Sequence, residues 1–502
     1  MEPNPALPSL TFLTNNAHVL IAVDRNPDHR YSHPAAVHNR VMSDADDKAG
    51  VVWFRRDLRL NNNPAWAAAT SAHRQIIAFF VLEPRLMKAA GAIRRNQLLA
   101  HLHALDAQLQ ARGGGLVIRY GPAVTAIARL IKDCEASALY LNSDFTPFST
   151  SRDQTIADAI SVPVHSFNGL TVHEPGAVLT KKGTLSLVFT PFYRRWSITD
   201  RTPWPSDGAG RPVMASSEPI PKPEGMVPQV PGESAAWDRL THWLELVDDY
   251  ADLRDLPAVK ATSGLSADLK FGTLAARSVV DAVGVETPGR EAFVRQLAWR
   301  DWWAHTLVVR PDLANVALKT EYDNIAWSDD RHSFKLWCTG QTGYPIVDAG
   351  MRQLVSTGWM HNRLRMICAS FLVKDLLIDW RQGERFFRHH LVDADIAQNA
   401  GNWQWVAGSG PDAAPYFRVF NPTSQATKFD PNGDYVRTWI PELARLRPPG
   451  IHNPSRATIA DLQAAGVVLA KTYPKPIIDH DQARLRTLEA YKLALNQGKA
   501  SS

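Results

Sequence analysis

The amino-acid sequence predicts an N-terminal α/β domain with an open parallel sheet, followed by a domain made of helices alone. Three observations predict this fold class. Short apolar runs alternate with segments of helical periodicity as far as residue 178. A stretch rich in Pro, Gly and Ser follows, and beyond it apolar residues recur almost only at helical spacing. Strands that alternate with helices assemble into parallel sheets. The change from this alternation to helical spacing alone therefore indicates two separate domains.

Composition excludes several classes of protein. Of the 502 residues, 45% are hydrophobic and 21% are charged, which is typical of a globular protein rather than a disordered chain. No apolar run is long enough to span a membrane, so we expect no membrane partner. Three dispersed cysteines, Cys134, Cys338 and Cys368, exclude a disulfide framework and a zinc site, and they indicate a protein of the reducing cytoplasm. The net charge of +5 alone is weak evidence for a polyanionic partner.

Residues 1–49 differ from the rest of the chain. They carry scattered Pro, Asn and His with no sustained periodicity, and they make a poor secretory signal because the apolar stretch is interrupted and lacks a basic start. We expect a leader that is disordered, or that lies upstream of a natural start at Met42.

Residues 50–178 are predicted to form the α/β domain. Helices are expected between its strands, and the helix over residues 94–112 ends at three glycines, which are a typical stop. The first strand is followed by RRDLRL rather than G-x-G-x-x-G, so a Rossmann phosphate loop is absent. The predicted strands are VVWF (51–54), IIAFFVL (76–82), LVIRYG (116–121), ALYLN (138–142) and PVHSF (163–167).

The remaining chain divides into three predicted parts. Residues 179–235 read as an interdomain linker, because much of this stretch is rich in Pro, Gly and Ser. Residues 236–490 form the helical domain, and residues 491–502 form a tail. Within the helical domain, the aromatic and glycine-rich stretch 401–422 is predicted to be a structured loop.

Several motifs in the helical domain carry possible chemistry. The run 262–266, Thr-Ser-Gly-Leu-Ser, can offer hydroxyls and backbone N–H groups to a phosphate, although a helix cap is the alternative. Gln296, Trp299 and Trp303 share one helix face. Core packing explains the two tryptophans but not a glutamine beside them.

A second set of motifs mixes charges with aromatic residues. Arg352, His361, Arg363 and Arg365 lie among aromatics, which is typical of a nucleic-acid groove, although a solvated helix end is the alternative. The Asp-x-Asp at 393–395 lacks further ligands at suitable spacing, so we expect no metal. Its carboxylates can instead pair with arginine.

The motifs taken together resemble the photolyase/cryptochrome family, and within it the class I cyclobutane-pyrimidine-dimer DNA photolyases. The resemblance implies a monomeric, light-driven DNA-repair enzyme that splits dimers by electron transfer from excited, reduced FAD. The alternatives are a (6-4) photolyase and a non-enzymatic cryptochrome photoreceptor. The motifs occur in the expected order over residues 50–490: WFRRDLRL, ATSGLS, LAWRDWW, TGYPIVDAGMRQL, GWMHNRLRM, FLVKDLLIDWRQGE, DADIAQNAGNWQW and PYFRVFNP.

The resemblance implies which residues hold the flavin. Arg365 and Asp393 correspond to an ion pair beside it, and Asn399 corresponds to an amide near flavin N5. Trp403, Trp380 and Trp327 correspond to a tryptophan chain that reduces FAD in the light. The matching cofactor contacts are Tyr250, Thr262, Ser263, Gly264, Leu265, Ser266, Phe293, Asn362, Arg365, Asp393, Ala394, Asp395 and Asn399.

The resemblance also implies a partner, UV-damaged DNA, with the dimer flipped into a pocket. Gln296 departs from the family pattern, because dimer photolyases usually carry Glu there and (6-4) photolyases carry Gln. Against a (6-4) enzyme, Asn362 stands where that subgroup has a second His. The implied DNA or dimer contacts are Arg254, Gln296, Trp299, Arg363, Met366, Trp405, Arg418 and Lys428.

A second pigment is implied as a light-harvesting antenna. The run LNSDFTPFSTSRD (141–153) is similar to the deazaflavin-binding pattern Asn-x-Asp-x-x-Pro-aromatic. We therefore expect 8-hydroxy-deazaflavin, with methenyltetrahydrofolate as the alternative. The pattern assigns no individual antenna contact.

Overall fold

The computed structural model describes residues 48–412 and 415–500, with side chains to residue 497. The predicted leader lies outside the described residues, apart from its last two. The strands are β1 (Gly50–Phe54), β2 (Gln75–Leu82), β3 (Leu116–Tyr120), β4 (Ala138–Asn142), β5 (Val164–Phe167) and β6 (Arg211–Pro212). The helices up to residue 196 are α1 (Pro64–Ala72), α2 (Pro84–Ala89), α3 (Ala92–Gln110), α4 (Ala123–Asp133), α5 (Pro147–Ala159) and α6 (Phe189–Trp196).

The rest of the described chain is helical, as predicted. A π-helical turn over Phe371–Asp375 directly follows the helix that ends at Ser370. The helices are α7 (Glu233–Leu244), α8 (Tyr250–Leu253), α9 (Ser266–Phe271), α10 (Ala276–Val283), α11 (Pro288–Val309), α12 (Arg331–Cys338), α13 (Pro345–Thr357), α14 (Asn362–Ser370), α15 (Trp380–His390), α16 (Ile396–Ala407), α17 (Pro422–Phe429), α18 (Asp434–Trp439), α19 (Ile459–Ala465) and α20 (His480–Ala500).

The N-terminal domain is built on one parallel sheet with the order β3-β2-β1-β4-β5, and β6 pairs with β2. Every residue of β1 is buried. Alternate β1 side chains enter two different cores, Val52 and Phe54 on one face and Val51 and Trp53 on the other. Because helices cover both faces of a parallel sheet, the sequences of its strands are continuous apolar runs. The predicted α/β fold class is therefore confirmed.

The stretch predicted as a linker, 179–235, is more ordered than a connection. It contains α6 and β6, and α7 begins within it at Glu233. Phe189, Phe192 and Trp196 of α6 are buried in the core of the helical domain. The Pro-rich composition on either side of α6 hid an amphipathic helix from the sequence analysis.

Two other predicted boundaries were wrong. The loop expected over 401–422 begins only at Gly408, because residues 401–407 complete α16. A Cβ at Gly401 would lie 2.2 Å from Cε3 of Trp303, so glycine here permits close helix packing rather than a turn. The tail expected from residue 491 is part of α20, whose Tyr491 is fully buried.

The segment that follows β1 joins the two domains. Arg59 donates to the carbonyl oxygens of Gly272 and Gly169, each at 2.9 Å. Gly272 ends α9 with a left-handed φ of 71°, and a Cβ there would lie 1.9 Å from the Arg56 carbonyl oxygen. The two domains therefore meet backbone to backbone beside α9. Of the helices in the described part of the chain, none is long and apolar enough to cross a membrane.

Candidate flavin and DNA site

Asp395 lies at the start of α16, the helix that carries Asn399, Trp403 and Trp405. Its carboxylate accepts from Ala397 N and Gln398 N, which caps the helix. It also forms an ion pair with Arg56 of the N-terminal domain. Burial alone would raise the pKa of Asp395, but Arg56, Lys270 and Arg300 outweigh it and hold that pKa well below its usual range.

Arg56 also faces Asp144, 3.5 Å away, in the loop predicted to bind the antenna pigment. Burial lowers the pKa of the neighbouring Lys270 to about 7, and repulsion from Arg56 adds to the shift. Arg300 is held by the carbonyl oxygens of Leu170 and Leu269. The sequence analysis assigned no role to any of these three cations, because their shared location depends on chain segments far apart.

The predicted pair of Arg365 and Asp393 is present in the structure. Two hydrogen bonds of 2.8 and 3.2 Å join the guanidinium to the carboxylate, and Asp393 is 4% exposed. Arg365 Nε donates to the Met360 carbonyl oxygen, and this bond fixes the plane of the Arg365 guanidinium. Such a bidentate pair has a defined orientation as well as charge.

The run 262–266 forms the turn that opens α9. Gly264 has a left-handed φ of 66°, and its carbonyl oxygen accepts from Gln229 at 2.7 Å. Leu265 N donates to Ser263 Oγ at 3.3 Å, so the turn is built from local hydrogen bonds. Tyr250 packs edge-on against Phe293, with ring centroids 5.4 Å apart.

These groups fit an adenine dinucleotide. The turn supplies hydroxyls and backbone N–H groups, and Arg300 donates to the Leu269 carbonyl oxygen of the helix that the turn opens. Diphosphate groups bind to such turns at helix starts. Ala394 is buried between Asp393 and Asp395, whereas Asn362 is exposed and directs its amide to Met366 Sδ at 3.8 Å.

Asn399 is oriented by a glutamate that the sequence analysis did not name. Its Nδ2 donates to the backbone oxygen of Glu384 at 2.8 Å and to Glu384 Oε1 at 2.9 Å. Burial raises the pKa of Glu384, against the opposing effect of Arg388. With its N–H groups directed to Glu384, the Asn399 side chain presents its carbonyl oxygen as a free acceptor.

The three predicted electron-transfer tryptophans lie in or against one hydrophobic core. Trp403 and Trp380 are buried in the same core, and the partly buried Trp327 packs against it. A Cβ at Gly383, one turn after Trp380, would lie 2.2 Å from Trp403 Cη2. The Trp403 ring therefore rests directly on the helix that begins at Trp380.

The predicted dimer contacts line an aromatic wall beside the flavin residues. Trp299 and Trp405 are partly buried and pack on the core that also contacts Tyr250. One face of Trp299 is covered by Phe189, with ring centroids 3.9 Å apart and planes at 12°. Gln296 Nε2 donates to the Ala292 carbonyl oxygen of its own helix at 3.2 Å. Met366 is half-buried one turn after Asn362.

The predicted DNA-contacting cations are only partly free. Arg363 is half-buried, pairs with Asp255 at 2.7 Å, and lies over the ring of Phe429. Lys428 is exposed and lies over the same ring, 5.2 Å from its centroid. Arg418 is exposed beside Phe420, and Arg254 lies over Tyr250. Lys428 and Arg418 are therefore the most accessible of the four.

His361 caps α14 next to these cations, where its Nδ1 accepts from Arg363 N at 3.1 Å. Burial lowers the pKa of His361 to about 4, so the imidazole is neutral at pH 7. No group of three or more potential metal ligands occurs within the described ranges, 48–412 and 415–500.

Comparisons with known proteins agree with this architecture. The family described as DNA photolyase matches residues 50–209, and the FAD binding domain of DNA photolyase matches residues 293–493. A deoxyribodipyrimidine photo-lyase of Agrobacterium fabrum is 41% identical, over 88% of this chain and 97% of its own.

Two solved structures share the fold. A bacterial class III photolyase from Agrobacterium tumefaciens has a TM-score of 0.85 at 40% identity, and the comparison covers 90% of this chain and 99% of that one. A cryptochrome from Synechocystis sp. PCC6803 has a TM-score of 0.81 at 28% identity, covering 88% and 99%. The resemblance to class I photolyases therefore stands beside a strong likeness to a class III structure.

The fold and the matched domains define the class, a two-domain flavoprotein with an α/β domain before a helical FAD-binding domain. The chain belongs to the DNA photolyase family. It is an enzyme of that family and carries its FAD-binding domain.

Proposed function

We propose that the protein repairs cyclobutane pyrimidine dimers in UV-damaged DNA in a light-driven reaction. The observation that carries this proposal is the position of Trp299 and Trp405, which pack on the same core as Tyr250 and Phe293. A base dimer stacked on this wall would lie next to the flavin-binding residues. The deoxyribodipyrimidine photo-lyases that resemble this chain over most of its length support the same substrate.

The turn at 262–266, Tyr250 and the pair of Arg365 and Asp393 would hold FAD. Bound and reduced, FAD would supply the light-driven one-electron chemistry that opens the cyclobutane ring and would recover the electron afterwards. The chain positions both partners and excludes water from between them. Its aromatic side chains stack on the flipped bases, while its cations bind phosphates.

Asn399 acts as a neutral acceptor beside the flavin. Its amide N–H groups are occupied by Glu384, so its carbonyl oxygen is the atom left to accept a flavin N–H. A neutral amide neither removes nor adds a charge at this position, which suits an anionic reduced flavin.

The direct test of this function is a repair assay on DNA that contains one defined lesion. Protein with reduced FAD should restore cyclobutane dimers to pyrimidines under blue or near-UV light and leave them intact in the dark. The same assay is run on duplexes that contain a (6-4) product, because Gln296 is the residue that favours a (6-4) photolyase. Repair of (6-4) products without repair of dimers would overturn the proposal.

Gln296 should make dimer repair independent of pH between about pH 5 and 8. Its amide can donate to a pyrimidine carbonyl, as a protonated Glu would, but it cannot ionise. In Gln296→Glu, ionisation should lower the repair rate by about tenfold as pH rises, because a hydrogen bond to charge is lost. The measurement is the repair rate of pre-reduced enzyme against pH. A wild-type profile that already titrates would contradict this role.

DNA binding should depend on salt through the exposed cations. Replacing Lys428 or Arg418 with Ala should reduce the slope of log affinity against log salt by roughly one unit for each lost phosphate contact. Arg363→Ala should change it less, because Asp255 already neutralises Arg363. The matched control is Arg129→Ala on α4, a 77% exposed arginine of the other domain. Equal slopes in all variants would remove this surface from the DNA site.

We propose an antenna pigment at the loop that follows β4. Phe148 is partly exposed, and the guanidinium groups of Arg85 and Arg152 lie over its ring. Ligands of parallel α/β sheets bind at the carboxyl ends of the strands, where this loop lies. The sequence pattern supports 8-hydroxy-deazaflavin over methenyltetrahydrofolate, and the absorption spectrum of pigment released from the purified protein distinguishes the two.

We also propose that the protein acts as a monomer in the cytoplasm. Its three cysteines are unpaired in the structure, which suits a reducing compartment.

A further inference from the structure

The side chain of Phe189, at the start of α6, forms a second layer behind the Trp299 ring. The two ring centroids are 3.9 Å apart and the ring planes meet at 12°, so the rings are stacked face to face. Phe189 is 2% exposed, and its ring has no open space into which it could turn away from the indole. One face of Trp299 is therefore covered, and a base that stacks on this tryptophan is confined to the opposite face.

Other rings hold Phe189 in this orientation. Trp302 lies edge-on to it, with centroids 5.9 Å apart and planes at 69°, and Tyr193, one turn further along α6, lies at 6.0 Å and 20°. The guanidinium of Arg295 lies over the rings of Tyr193 and Phe189, 4.5 and 5.5 Å from their centroids. Trp302 Nε1 donates to the Ser186 carbonyl oxygen at 2.8 Å, which anchors the chain just before α6. The Phe189 ring is therefore a fixed support for the Trp299 ring.

The start of α6 is also tied to the helix that carries Trp405. The backbone N–H of Phe189 donates to Asp412 Oδ2 at 3.2 Å. Asp412 lies in the loop that follows α16, beyond the Gly408 that ends this helix. Phe189 therefore contacts Trp299 through its ring and, through its N–H, the loop that leads from the helix of Trp405.

We propose that Phe189 is a positioning residue for the damaged bases, which fixes the plane of the Trp299 ring before the lesion binds. This inference rests on the proposed stacking of the dimer on Trp299 and Trp405. An unsupported indole can rotate about its two side-chain torsions, and ordering it upon binding costs free energy. Because Phe189 already orders the indole in the free protein, this cost is absent when the flipped bases enter.

This support acts on the lesion and not on DNA in general. Undamaged duplex is bound through its phosphates, and the buried Phe189 ring cannot reach them. Loss of the support should therefore weaken the binding of dimer-containing DNA and leave the binding of undamaged DNA unchanged. The ratio of the two affinities reports the positioning role.

The test replaces the aromatic face and retains an apolar side chain. In Phe189→Leu, the ratio of affinities for dimer-containing and undamaged duplex should fall about tenfold, the value of a stacked aromatic pair. The measurement is fluorescence anisotropy of two duplexes of the same sequence, titrated in the dark with flavin-loaded protein. Phe189→Tyr retains the stack and should restore the wild-type ratio. A loss of folded protein weakens the apparent binding of both duplexes equally, so it leaves the ratio unchanged.

Phe192→Leu is the matched control on the same helix. Phe192 is 1% exposed, but its ring packs edge-on against His305 rather than against Trp299. The ratio should therefore stay at the wild-type value. In a Trp299→Leu background, Phe189→Leu should cause no further loss, because Phe189 acts through the Trp299 ring.

Two results would overturn the positioning role: an unchanged ratio in Phe189→Leu, or an undiminished further loss when Phe189→Leu is added to Trp299→Leu. A wild-type ratio that persists in Trp299→Leu would refute the proposed stacking of the dimer on Trp299, and the inference with it.

Discussion

Trp403→Phe should reduce the light-driven reduction of oxidised FAD to near background while leaving dimer repair intact. Trp403 is buried against Gly383, and the other members of the predicted chain lie in or against the same core. A phenyl ring occupies much of the same space, but it is far harder to oxidise than an indole. The chain is therefore broken at its first step, with little change in packing.

Two measurements separate photoreduction from repair in this variant. FAD absorbance under illumination with a thiol reductant should stay at the oxidised level, and repair after chemical reduction should match the wild type. Trp66→Phe, which removes a buried tryptophan of the other domain, should behave as wild type in both assays. Normal photoreduction in Trp403→Phe would show that another donor feeds the flavin.

Arg365→Leu should cost about 3–5 kcal/mol of folding free energy and most of the bound FAD, because it leaves a buried carboxylate without its partner. Asp393 is only 4% exposed, and both of its oxygens accept hydrogen bonds from Arg365. Denaturant unfolding monitored by circular dichroism gives the free energy, and flavin absorbance gives the FAD content.

A double variant separates the lost charge from the lost cofactor contact. Arg365→Leu with Asp393→Leu should recover most of the stability, since no unpaired charge remains buried, but it should not recover FAD. Arg129→Met removes an exposed ion pair with Asp133 and should cost less than about 1 kcal/mol. A small loss in the free energy of unfolding of Arg365→Leu would contradict this prediction, because it would show that the Asp393 carboxylate hydrogen-bonds to water or to another side chain.

Local patterns in the sequence were sufficient for the strands and for most helices. The strand β1 is a run of apolar residues because helices cover it on both sides, and this pattern is visible without knowledge of its neighbours. The failures were local as well. Gly401 resembles a turn residue, yet it lies within α16 because the Trp303 ring needs the space that a Cβ would fill.

The candidate site was predicted through short motifs whose members are close in sequence. Asn399 and Trp403 lie one turn apart on α16, so their relative positions follow from helical geometry, and Asp393 and Asp395 come directly before that helix. The positions of the residues that contact them could not be predicted from local sequence. Glu384 orients Asn399 from another helix, and Phe189 covers Trp299 from the segment that had been read as a linker.

The sequence by itself determined the class of fold, the order of the two domains and the family, because burial periodicity and motif spacing are properties of consecutive residues. Only the tertiary structure decided which charges and rings meet. Arg56 reaches Asp395 from the other domain, and Trp337 reaches Trp403 from a separate helix. Such contacts join residues that no local period relates, since they arise when packed elements bring distant parts of the chain together.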